Sequence, residues 1–133
     1  MRTAVAALIA IATVASSGLA NAQSSYLWEE LGSGDGITAS YNPLSVRHSE
    51  GVVTFLEKIS YASPSTLSNG KSMGYYTVEM TIACAADTFE HANYTAYTPA
   101  GEVIPGVEDP TPSGMNPISP DGVPAAFKTK FCK

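Results

Sequence analysis

Few side chains in this sequence could do chemistry. Two histidines, His48 and His91, and two adjacent acidic pairs, Glu29-Glu30 and Glu108-Asp109, could supply a general base or a weak cation site. His48 follows Arg47 in a segment that reads as a turn, and His91 lies within a segment that reads as a strand. Neither stands in a motif with Ser or Cys, so each reads as a surface or rim histidine before it reads as a base. Glu29 and Glu30 are strand neighbours and point to opposite faces, so they do not share a site. Glu108 and Asp109 fall in a proline-rich stretch and read as solvated loop charges. The Gly32–Gly36 run lacks the lysine of a phosphate loop and reads as a plain loop. The Asn93-Tyr94-Thr95 sequon reads as a chance match. No catalytic residue, metal or cofactor is expected. A pocket pairing His48 or His91 with a carboxylate would revive a small hydrolytic site, and an open sheet without a cleft would remove it.

Binding chemistry is better represented. Tyr75, Tyr94 and Tyr97, with Phe89 and Tyr61, could leave ring faces on a sheet surface. Aromatic rings on a rigid surface favour contact with proteins or glycans. Tyr75 and Tyr97 are the candidates singled out for partner contact. Lys128, Lys130 and Lys133 are the one concentration of positive charge, and the other candidates. They would also complement the C-terminal dipole of a terminal helix.

The elements that must position these groups read mostly as strands. From Gly74 to Cys84, Tyr76, Val78, Met80, Ile82 and Cys84 fall on one face, and Tyr75, Thr77, Glu79 and Thr81 on the other. That is a half-buried antiparallel strand with Cys84 on its core side. Thr88–Thr98 follows Ala85-Ala86-Asp87 and completes a hairpin, with weaker alternation. Tyr26–Leu31, Ile37–Tyr41 and Val52–Ser60 read as further strands. Asn42-Pro43, Ser63-Pro64-Ser65 and Asn69-Gly70 read as punctuation. Seven prolines fall between Pro99 and Pro124, which marks a long surface excursion rather than a strand. Ser119-Pro120-Asp121 and Pro124 are alternative helix starts, and Pro124–Cys132 reads as a short terminal helix. Val123, Phe127 and Phe131 line one side of it. Cys132 lies about 100° around that helix from Phe131, so the last turn must unwind to reach Cys84.

Composition sets the compartment and excludes some partners. The 133 residues carry a formal net charge of −5, which disfavours nucleic acid. Arg2, the apolar run Thr3–Ala15 and Ala20-Asn21-Ala22 form a secretory leader cut after Ala22. Residues 23–133 then form a single exported domain with no lipid-anchoring cysteine at the cut and no spanning segment. In an exported chain, Cys84 and Cys132 read as a disulfide ahead of a metal site or a catalytic thiol. The expected fold is α+β, mainly β: a small twisted antiparallel sheet of five or six strands, with one C-terminal helix tied to it by that disulfide.

A family pattern runs through these positions. Trp28, Tyr41, Leu44-Ser45-Val46, Val52–Ile59, Cys84, Tyr97, Gly101, Pro117–Ser119 and Cys132 together resemble the surface-adhesin protein E-like domain of bacteria. The resemblance covers nearly the whole chain after the leader. It implies an antiparallel sheet with a C-terminal helix and a disulfide joining strand to helix. The best-known member of that family is a surface lipoprotein that binds host matrix proteins and plasminogen. The lipid-attachment cysteine of such a protein is absent here, and Ala83 and Ala85 flank Cys84 where relatives tend to carry polar or charged groups. Lys133 ends the chain and joins an ammonium to a carboxylate, the shape a lysine-binding kringle accepts. The leading expectation is an exported, non-enzymatic binding domain that contacts a host or envelope protein or a glycan. The alternative is a periplasmic structural or accessory protein with no extracellular ligand.

Overall fold

Strand-forming alternation dominates the chain, and the architecture follows from it. A computed structural model describes residues 27–133, so the leader read at 1–22 and Tyr26 lie outside the described residues. Eight strands and one helix are present among them: β1 (Glu29–Gly34), β2 (Ile37–Tyr41), β3 (Arg47–Ser49), β4 (Val52–Thr66), β5 (Ser72–Ala83), β6 (Thr88–Tyr97), β7 (Val103–Ile104), β8 (Asn116–Pro117) and α1 (Val123–Phe131). They form one antiparallel sheet in the order β1-β2-β4-β5-β6-β7, with β3 beside β4 and β8 beside β6.

The expected five or six strands become eight for a simple reason. Three are only two or three residues long, too short to leave an alternation in sequence. Two of these lie in the proline-rich excursion, which therefore does touch the sheet. β7 pairs Ile104 with Ala96, and β8 pairs Pro117 with Thr88 at the sheet edge, where a missing N–H is tolerated. β3 takes in Arg47 and His48, which the sequence reading put in a turn.

Turn chemistry shifts other boundaries. Asp35 and Gly36 both have positive φ, 54° and 79°, and close a two-residue hairpin between Gly34 and Ile37. The glycine-rich run expected to be a loop is therefore strand up to Gly34, and the first strand begins later than expected, at Glu29. Glu50-Gly51 repeats the device between β3 and β4. Asn42 caps a single 3-10 turn over Pro43–Ser45, its side chain accepting the Leu44 N–H at 2.9 Å. Ser63-Pro64-Ser65 does not end β4 but sits where the β4–β5 register slips between Ser60 and Ser65. The terminal helix begins at Val123, capped by Gly122 and not by Ser119.

The strand pleat gives the sheet an inner and an outer face. Val53, Phe55 and Ile59 of β4 lie beside Val78, Met80 and Ile82 of β5, all buried on the inner face with Ala39 and Tyr41 of β2. Helix α1 covers this face. Phe127 is fully buried, its ring 4.6 Å from that of Phe55, and Phe131 stands edge-on to Tyr41 at 5.2 Å. Cys132 leaves the helix with extended backbone and bonds covalently to Cys84, which follows β5. The expected unwinding of the last turn is present, and the two Cα atoms stand 5.7 Å apart.

A second inner cluster lies beyond the helix. Met73, Ala96 and Ile104 are buried there, with Tyr61, Tyr76, Tyr94 and Val107 against them. Gly74 is also buried, and a Cβ built on it would come 2.6 Å from the Pro99 Cα, so only glycine fits.

Candidate functional site

One irregularity in β6 decides which aromatic rings reach the surface. Thr77 pairs with Thr95, but Glu79 pairs with Ala92, so β6 carries one extra residue at this point. Asn93 absorbs it with a φ of 56°. The bulge resets the alternation. Phe89 and His91 face inward before it, Tyr94 faces inward after it, and Tyr97 faces outward. The weak alternation of this strand in sequence has this cause. Tyr94 packs at a tilt against Tyr76, with 4.8 Å between ring centres and 32° between planes, and its hydroxyl, pushed up to about 12 chiefly by burial, donates to the Met73 sulfur. Of the five rings considered for exposure, Tyr61, Phe89 and Tyr94 therefore belong to the inner side.

Tyr75 and Tyr97 remain on the outer face. They are direct cross-strand partners, and their rings stack at 4.7 Å with 14° between planes. Lys58, on the neighbouring strand β4, sets its ammonium 4.5 Å above the Tyr75 ring and 5.2 Å above the ring of Trp28. The result is a row across the sheet: Trp28, Lys58, Tyr75, Tyr97. All four residues are half-buried. Burial lowers the Lys58 pKa and raises that of Tyr75. Trp28 and Lys58 were not singled out in sequence as contact residues. The register Lys58–Thr77, two pairs along from Ser60–Tyr75 and so on the same face, brings the lysine to the aromatic rings, and no local signal announces that pairing.

The lysines near the C-terminus do not act together in this arrangement. Lys128 donates to Asp87 at 2.7 Å, Lys130 lies 5.5 Å over the Tyr41 ring, and Lys133 is exposed beyond the helix.

His91 departs from expectation. Its side chain is 8% exposed, so it is neither a surface nor a rim group. Nδ1 lies 2.9 Å from an oxygen of Asp109, and Nε2 lies 3.9 Å from Glu57 Oε1. Asp109 is accordingly not a solvated loop charge. Glu57 occupies an inner-face position among apolar residues at 1% exposure, and burial first, then the Asp109 charge, pushes its carboxyl up to about 8. Sequence reading missed Glu57 because a lone glutamate in an alternating strand looks like an outer-face residue. The parity of Val53, Phe55, Glu57 and Ile59 was the available signal. The cluster pairs a histidine with carboxylates, as a hydrolytic site would. Both ring nitrogens, however, are turned to carboxylates within the fold, and no Ser, Thr or Cys side chain among the described residues hydrogen-bonds the imidazole. His48, by contrast, is exposed and stands against Phe131 at 6.4 Å.

A disulfide-tied helix covers one side of the antiparallel sheet, and the aromatic row lies on the other. The chain belongs to the surface-adhesin protein E family, whose model matches residues 28–133. No curated protein and no solved structure matches it. No helix among the described residues is long and apolar enough to cross a membrane.

Proposed function

We propose that this protein is an exported, non-catalytic, adhesin-like domain that holds a host or surface macromolecule on the outer face of its sheet. The observation that carries the reading is the row of Trp28, Lys58, Tyr75 and Tyr97 on the face opposite the helix. Membership of a surface-adhesin family supports it. Rings held by strand register lose little freedom on binding, which is what a contact surface requires. The leader cut after Ala22 would deliver the chain outside the cytosol with its disulfide formed.

The test uses immobilised extracellular-matrix proteins, plasminogen and glycan arrays as probes. Tyr97→Ala and Tyr75→Ala should each weaken binding to the probe that the wild type holds, by about tenfold or more. Unchanged affinity in both variants overturns the outer-face reading. Deleting Lys133 tests capture through the terminal lysine separately, and equal plasminogen binding removes that contact. Fractionation of the producing cell tests the alternative: protein confined to the periplasm would favour an envelope accessory role over adhesion.

A further inference from the structure

The proline-rich segment between β7 and β8 is held to the sheet by an unusual set of groups. Asp109, near its middle, reaches the inner face and pairs with His91 Nδ1 at 2.9 Å. Its other oxygen accepts the Thr111 N–H at 2.9 Å, which shapes the loop around the carboxylate. Val107, two residues earlier, lies against the Met73–Ala96–Ile104 cluster. Behind His91 stands Glu57, so the imidazole is flanked by two carboxyl groups with side chains 2% and 19% exposed.

We propose that Glu57, His91 and Asp109 form a proton-operated latch: the trio holds the Val107–Thr111 segment on the sheet while the buried Glu57 carboxyl keeps its proton, and releases it when that proton leaves. The chemistry is a matter of charge count. With Glu57 as the carboxylic acid, Asp109 is the one carboxylate beside the imidazole, and it keeps its contact with Nδ1. Loss of the Glu57 proton leaves two carboxylates around the imidazole in a site with little water. Repulsion in such a medium is strong, and Asp109 is the one of the two that can move, because it sits on a loop. Release is therefore an alkaline event.

The surroundings supply no rival charge to absorb the change. Tyr41 of β2, Tyr61 of β4, Tyr76 of β5 and Tyr94 of β6 face this region, and their phenols are all raised by burial, so they stay neutral. Tyr41 is committed to Glu29 through a 2.5 Å hydrogen bond. From the helix, Phe127 and Phe131 bring no charge, and the Lys130 ammonium is held 5.5 Å from the centre of the Tyr41 ring. Glu108, beside Asp109, is exposed. The Glu57 carboxyl, at about 8, sets the range in which the latch should respond.

The latch uses the inner face alone and stands whether or not the outer face binds a partner. Its test is amide hydrogen exchange of residues 105–115, corrected for intrinsic base catalysis, from pH 6.5 to pH 9.5. In the wild type, exchange of this segment should accelerate about tenfold in a step near pH 8, with β4 and β5 unaffected. Glu57→Gln, which cannot ionise, should keep the slow rate throughout. Asp109→Asn, a change on the loop, keeps the test decisive should the first variant not fold: it should exchange fast at every pH. A wild-type profile without a step, a step retained in Glu57→Gln, or one retained in Asp109→Asn overturns the latch.

Discussion

Single residues carry the strongest constraints here. Gly74 faces the Pro99 backbone at a distance that leaves no space for a methyl group. Gly74→Ala should cost about 1–3 kcal/mol, read as a fall in the denaturation midpoint at constant slope. An unchanged midpoint would mean that the Pro99 turn yields freely. Glu57 makes a second prediction, on overall stability. Between the ordinary glutamate value of 4.5 and about 8, the folded chain holds a proton that the unfolded chain has released. The stability linked to that proton is fully present below the lower value and is lost as pH rises through the upper one, at up to about 1.4 kcal/mol per pH unit. Urea titrations across this window should show the decline in the wild type and a flatter profile in Glu57→Gln. Glu57 illustrates what sequence withholds: its strand was legible, but its partners come from β6 and a distant loop, and only the assembled sheet places them together.

At the scale of elements, the long strands were legible because their periodicity reflects a single buried face. Val78, Met80 and Ile82 are buried as their spacing predicts. What escaped was short or irregular: the three-residue β3, the two strands of the proline-rich stretch, and the Asn93 bulge that turns Tyr94 inward and Tyr97 outward. Such features depend on one or two turn residues, below the length at which alternation can be read. The helix was legible through Val123, Phe127 and Phe131, and its energetics follow from two attachments. Phe127→Ala removes a fully buried ring and should cost about 3–5 kcal/mol. Reducing Cys84–Cys132, which closes a separation of 48 residues, should cost about 4 kcal/mol. Calorimetry on the oxidised, reduced and Phe127→Ala proteins would check both. By contrast, Lys128→Ala removes an ion pair with exposed Asp87 and should change stability by less than about 1 kcal/mol.

At the scale of the molecule, the two faces of one sheet differ in what covers them. The inner face is closed by the helix and the proline-rich segment and accounts for cohesion. The outer face holds its aromatic row in register, and the proposed function rests on it. The family match spans both faces, from Trp28 to Lys133. The most direct measurement is hydroxyl-radical footprinting of the protein free and bound to an immobilised matrix partner. The account predicts that Trp28, Tyr75 and Tyr97 lose reactivity on binding while Phe127 stays unreactive in both states. Protection elsewhere, with those three side chains as reactive bound as free, would contradict it.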